Sequence, residues 1–298
     1  MMIGTALIAA ACTANHNVAD GGNGTSANFA GIVAIGHGRS MFVECTGSGS
    51  PTVVLVAGQR GSAADWHITE SKTSPVEPAV YGEVARFTRV CAYDRPGTPV
   101  GNQFSRSDPA PQPADAATST ADLHALLHAA GQSVPFVLVG HSAGGMIVRL
   151  YASTYPREVT GMVLVDALGE GLQDAQTSAQ WATQRILLRG DIDASLIEYP
   201  DLEYFDADRS FEQIRAAPAM RPMPLVVLSA DAPIGPMVAG MIPGSAWLSG
   251  VPTDFGFVID AAQKSSQAQL ARLVPHAKHV TDTHSGHNIH HEQPQLVV

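Results

Sequence analysis

Short apolar runs and stretches of helical spacing alternate along most of this chain. Residues 32–35 and 41–45 read as two strands joined by the turn Gly36-His37-Gly38-Arg39, and 53–57 is a continuous apolar run of the kind buried on both faces of a sheet. Residues 89–93 predict the next strand. Leu123, Leu126, Leu127 and Ala130 recur at helical spacing, so 121–130 is expected to be a helix that stops at Gly131 and leads into a strand at 136–139. A helix is expected over 146–155, strands over 162–165 and 225–228, and a weak last strand over 279–281. Strands alternating with helices predict an α/β fold around a mostly parallel sheet. Residues 107–117, rich in Pro, Ala and Asp, read as a surface loop, and no internal repeat interrupts the alternation.

The first residues break the pattern. Residues 3–11 are apolar and small, too few to span a bilayer, and a polar Gly/Asn-rich stretch follows over 13–28. That profile predicts a signal and linker segment over 1–28 and a folded domain over 29–298. Cys12, after Ala9-Ala10-Ala11, resembles a bacterial lipoprotein cleavage site, where the cysteine becomes a lipidated terminus. Ala9 stands where such sites carry a larger aliphatic residue, and no Lys or Arg precedes the apolar run. The segment therefore reads either as a lipoprotein signal, with Cys12 as a membrane tether, or as a plain secretory signal. Both place the protein in the cell envelope or outside the cell.

Composition narrows the function. With 298 residues, 45% hydrophobic and 15% charged, the chain can bury one large core. The net charge of −10, with no basic run interleaved with aromatics, argues against nucleic acid as a partner. No His-Glu-x-x-His or paired Cys-x-x-Cys spacing suggests a metal, and no cofactor motif is present.

The chemistry concentrates at Gly140-His141-Ser142-Ala143-Gly144, between a predicted strand and a predicted helix. A serine hydroxyl is a poor nucleophile near neutral pH, so it must be held on a tight turn where a histidine can take its proton. Glycines on either side permit the turn, and the helix N-terminus offers free N–H groups to a developing oxyanion. In this order of elements, four places resemble the α/β-hydrolase fold family over about residues 30–298: Ala57-Gly58-Gln59-Arg60-Gly61, Tyr93-Asp94-Arg95-Pro96-Gly97, the serine turn, and Ser285-Gly286-His287 followed by Glu292 and Pro294. The resemblance implies a central sheet flanked by helices and a Ser-His-acid triad. Ser142 would be the nucleophile, His287 the base, and the backbone N–H groups of Ala143 and Gln59 the oxyanion hole. It also implies a closing helix after His287, of which little chain remains before Val298.

Two aspartates compete for the acid. Asp166 ends the strand that follows the serine helix, whereas Asp231 ends the next strand, with Pro233 where the family's acid of that strand usually sits. That departure favours Asp166 and leaves Asp231 as the alternative. Of the 12 histidines, His284, His290 and His291 lie near His287 without its Gly-His context, His141 reads as packed against the turn, and His37, His67, His124, His128 and His279 read as solvated. The family sheet makes the second and fourth strands neighbours, which implies a Cys45–Cys91 disulfide in an oxidising compartment.

Residues 167–222, around Trp181, Ile186, Leu187 and Tyr204, read as a small cap, and 232–256, with Met237, Met241, Ile242, Trp247 and Phe255, as a lid loop or cap packing. With the signal-like first residues, which predict export, the resemblance implies a carboxylic-ester hydrolase acting on a small-molecule acyl substrate through an acyl-enzyme. A peptidase, amidase or acyltransferase shares the same triad, and a non-catalytic ligand-binding protein shares the fold.

Overall fold

A computed structural model describes residues 28–101, 105–190, 192–240 and 250–298. Cys12, with the rest of the predicted signal, and residues 241–249 of the predicted lid lie outside the described residues.

Eight strands form one sheet: β1 (Phe29–Gly36), β2 (Arg39–Thr46), β3 (Thr52–Val56), β4 (Val90–Tyr93), β5 (Phe136–His141), β6 (Val159–Val165), β7 (Leu225–Leu228) and β8 (Lys278–Val280). Their spatial order is β1-β2-β4-β3-β5-β6-β7-β8. β1 and β2 form an antiparallel hairpin and β2 runs antiparallel to β4, while the remaining pairs are parallel.

The helices are α1 (Val80–Val84), α2 (Ala116–Ala129), α3 (Gly144–Thr154), α4 (Gly171–Asp174), α5 (Ser178–Arg189), α6 (Ile192–Glu198), α7 (Ala207–Ala216), α8 (Gly235–Gly240), α9 (Phe255–Leu270) and α10 (Ile289–Glu292). Four of them, α4 to α7, lie between β6 and β7, within the segment read as a cap. The short α10 is followed by a single 3-10 turn at Pro294–Leu296. Among the described residues, no helix is long and apolar enough to cross a membrane.

Successive strand residues point to opposite faces, so every buried strand feeds two cores. On one face Val54, Val56, Leu138, Leu164 and Val227 pack with Leu123, Leu126 and Leu127 of α2, Ile147 and Tyr151 of α3, and Leu270 of α9. On the other, Val53, Leu55, Val139 and Leu228 pack with Trp66, with Val80, Tyr81 and Val84 of α1, and with Ile289 of α10. α2 begins five residues before the predicted start because Asp115 caps it, its side chain accepting from the Thr118 N–H at 2.8 Å.

Cys45 and Cys91 are paired in the β2–β4 register and joined by a disulfide between the hairpin and the parallel sheet. Both are buried in the core between the sheet and α2 and α3.

Candidate active site

β5 ends at His141 and α3 starts at Gly144, leaving two residues to reverse the chain. Ser142 takes up the turn with φ +50, a left-handed conformation that costs an L-residue roughly 1–2 kcal/mol. Surrounding bonds hold it there: the Ser142 N–H donates to the Val165 carbonyl at 3.1 Å, and its carbonyl accepts from Gly145 and Leu168, each at 2.9 Å. The flanking glycines are required by space. A Cβ on Gly144 would stand 2.3 Å from the Val56 carbonyl oxygen, and one on Gly140 2.6 Å from a Val148 methyl.

The parallel register then places Asp166. β6 pairs with β5 so that Val165 lies opposite His141, which sets Asp166 beside the serine turn. Asp166 is also left-handed, at φ +37, and is 4% exposed. One carboxylate oxygen, Oδ2, lies 2.6 Å from His287 Nδ1; the other accepts from the Ala230 N–H and the Gln263 amide, each at 3.2 Å. The His287 ring is half exposed. Gln263, on α9, was not anticipated from sequence: one polar residue on a long helix gives no signal until the helix is placed.

Asp231 has a different task. Its two oxygens accept from the His284 and Ser285 N–H groups at 3.0 Å each, and its own N–H returns a bond to the Ser285 carbonyl at 3.1 Å. It thus holds the start of the loop that carries His287. From the other side, Glu292 accepts from the Gly286 N–H at 3.2 Å.

His141 closes this loop onto the serine turn, with its Nε2 3.1 Å from the His287 carbonyl. A ladder of rings runs inward from the site: His287 to His141 at 4.7 Å between centroids, His141 to His290 at 4.3 Å and His290 to His291 at 4.0 Å. Asp65 sits at the inner end, 3.1 Å from His290 Nε2 and 3.2 Å from His291 Nε2. Burial, then the neighbouring His290 and His287, pushes His141 well below the usual imidazole range. Burial also lowers His290, more than its bond to Asp65 raises it. For His291 burial is again the largest single effect, but the hydrogen bonds and charge of Asp65, with the charge of Glu70, together outweigh it and raise it. Burial would raise the Asp65 carboxyl, but hydrogen bonds from both histidines hold it below the usual carboxylate range.

Gly58 lies against Ser142, for a Cβ there would be 3.1 Å from the Ser142 Cβ. Its carbonyl, and that of Ala57, accept from the Arg95 guanidinium. A trans peptide points its N–H opposite its C=O, so tying down the Gly58 oxygen turns the Gln59 N–H away from Arg95. Arg95 pairs with Glu203 of the segment between β6 and β7 through both carboxylate oxygens, at 2.5 and 3.0 Å. Gln59 Oε1 accepts from the Phe205 N–H at 3.2 Å, and the Arg60 N–H donates to Glu203 at 2.6 Å. Burial opposes the Arg95 charge, but Glu203 outweighs it and raises the guanidinium above its ordinary value.

Two histidines expected to be solvated are not. His124 is half-buried and stacks on Tyr155 with ring centroids 3.8 Å apart, and half-buried His279 lies 2.8 Å from the Ser229 hydroxyl. Neither partner is near in sequence, so the pattern around each histidine carried no sign of it.

Comparison with known proteins agrees with this architecture. The model of the alpha/beta hydrolase family matches residues 53–298. An uncharacterized protein of Schizosaccharomyces pombe is 32% identical over 164 residues, which span 49% of this chain but only 29% of that protein. The uncharacterized protein YqjL of Bacillus subtilis is 25% identical over 256 residues, 84% of this chain and 82% of YqjL. The solved structure of a thermophilic esterase from Thermogutta terrifontis, with malate bound, superimposes with a TM-score of 0.52 at 18% identity, covering 91% of this chain and 95% of that one. That identity speaks to the fold alone; the family match, with the sheet order and the serine turn, shows that the chain belongs to the alpha/beta hydrolase family.

Proposed function

We propose that this protein is a serine hydrolase of carboxylic esters, with Ser142 as nucleophile, His287 as base and Asp166 as the orienting acid. The observation that carries the reading is the 2.6 Å contact between His287 Nδ1 and Asp166 Oδ2, with the His287 carbonyl 3.1 Å from Nε2 of His141, the residue before the left-handed Ser142. With Nδ1–H held by the carboxylate, Nε2 is the nitrogen left to accept the Ser142 proton as Oγ attacks the acyl carbonyl. The resulting oxyanion would meet the N–H groups of Ala143 and Gln59. Collapse expels the alcohol with the proton returned by His287, and water then cleaves the acyl-enzyme by the same steps.

Residues 167–222 are read as a cap and 232–256 as a lid, so acyl selection is assigned to them. A panel of p-nitrophenyl esters of rising acyl length, run beside aminoacyl anilides, tests the reaction class. Ester turnover with little anilide turnover is expected. Anilide turnover alone would make it an amidase, acyl transfer to added alcohol in place of water an acyltransferase, and saturable ligand binding without turnover a non-catalytic protein.

Export is part of the same proposal, and the buried Cys45–Cys91 disulfide supports it, because such bonds persist in oxidising compartments. Intact mass of the native protein from the membrane fraction is expected to show loss of residues 1–11, with Cys12 as a diacylated terminus if it is the tether. An unmodified Met1 on cytosolic protein would refute export.

A further inference from the structure

We propose that His124, His128 and Glu158 form a zinc site that clips α2 to the turn between α3 and β6. α2 sets the two histidines four residues apart, one helical turn, so both rings lie on the same face. Glu158 comes from the turn just before β6, and its Oε1 lies 3.3 Å from His124 Nε2 and 3.1 Å from His128 Nε2. One potential ligand atom from each of the three residues falls within 4.8 Å of the others.

The spacing suits a tetrahedral ion. Zinc–nitrogen and zinc–oxygen bonds of about 2.0–2.2 Å place neighbouring ligand atoms about 3.3–3.5 Å apart at the tetrahedral angle. The two histidine–glutamate separations lie within a few tenths of an ångström of that edge. Neutral imidazole and carboxylate are ordinary zinc donors, and water would complete the set.

The ligands are also held from behind, as metal ligands usually are. The Tyr151 hydroxyl donates to Glu158 Oε2 at 2.6 Å, which fixes the carboxylate and leaves Oε1 toward the histidines. Tyr155 lies flat on His124, 3.8 Å between centroids and 11° from parallel, and fixes that ring.

The site lies apart from the proposed triad. Glu158 precedes the first residue of β6 and Asp166 follows its last, so the seven-residue strand separates the two by roughly 23 Å. Nothing in it depends on the proposed esterase reaction.

Calorimetric titration of the purified, chelator-stripped protein with zinc chloride tests the inference, paired with melting curves in zinc and in chelator. His128→Ala removes a half-exposed side chain on a helix surface, and circular dichroism checks that it folds. Tyr151→Phe removes only the supporting bond. Wild type is expected to bind one zinc and to melt higher with it. His128→Ala should lose both effects, and Tyr151→Phe should bind at least about tenfold more weakly, the usual cost of losing such a support. Absence of saturable binding, or equal affinity in wild type and His128→Ala, would overturn the site; the second result would point instead to the cluster of Asp65, His141 and His290.

Discussion

Arg95 and Glu203, 108 positions apart and 2% and 1% exposed, form a two-point ion pair between the turn after β4 and the segment between β6 and β7. The same guanidinium holds the Ala57 and Gly58 carbonyls, so the segment between β6 and β7 and the proposed oxyanion loop share one buried charge. Removing one partner leaves the other buried and uncompensated, which costs about 3–5 kcal/mol. Glu203→Gln is therefore expected to destabilise the protein on that scale in urea unfolding, and Arg95→Met to lower kcat as well, because the Gly58–Gln59 peptide loses its anchor. The double change Arg95→Met with Glu203→Gln should cost less than the two single changes added together. A loss under about 1 kcal/mol in both single variants would show that the pair does not hold the loop.

Asp166 and Asp231 can be separated by kinetics. Asp166→Asn leaves the shape intact but removes the charge that orients His287, and a loss of about 10⁴ in kcat is expected by analogy with the serine-protease triad. Asp231→Asn weakens the two bonds to the 284–285 backbone and should reduce kcat far less, with a lower melting temperature. The reverse ranking would transfer the acid's role to Asp231.

The buried His141 predicts a dependence of stability on pH. Its folded value lies below the ordinary 6.5, so it favours the neutral form; its contribution is intact above pH 6.5 and is lost as pH falls from there through the folded value. Each proton taken up on unfolding steepens the curve by about 1.4 kcal/mol per pH unit. His141→Gln keeps an N–H donor for the His287 carbonyl but does not titrate. Its unfolding free energy, measured between pH 7 and pH 5, should fall less steeply than that of wild type. Parallel curves would mean that His141 does not carry the acid sensitivity.

The Cys45–Cys91 bridge closes a loop across 46 positions. On the chain-entropy argument such a loop is worth about 4 kcal/mol, and measured losses usually fall near 2–4 kcal/mol. The double variant Cys45→Ala with Cys91→Ala is expected to unfold at correspondingly lower denaturant, with the ester turnover of the native protein retained at 25 °C. Recovery of both cysteines alkylated without prior reduction, from protein made in an oxidising compartment, would remove the bridge from the account.

Much of this was legible in the chain. Apolar runs such as Val53 to Val56 must lie inside a sheet, and a serine between glycines after such a run has few other uses, so β3, β5 and the serine turn followed from local pattern. His287 was picked out by its Gly-His context and the family spacing to Glu292 and Pro294, and Asp166 by its place at the end of a strand, so their 2.6 Å contact joins two residues the chain had already marked. What stayed hidden was long-range. Gln263, Glu203 and the histidine ladder gain meaning only from partners many residues away, and hydropathy spacing carries no information about which polar side chains meet. Asp231 was visible as an acid at a strand end, but its task as an anchor for the 284–285 backbone depends on how that loop returns to β7.

If His287 activates Ser142, the hydroxyl is open to phosphonylation. A fluorophosphonate probe reacts with activated serines, and tryptic mapping of the labelled protein by mass spectrometry locates the adduct. One adduct is expected, on the peptide containing Ser142, absent from both Ser142→Ala and His287→Ala. A folded wild-type protein that takes up no probe, or one labelled equally in Ser142→Ala, would contradict it.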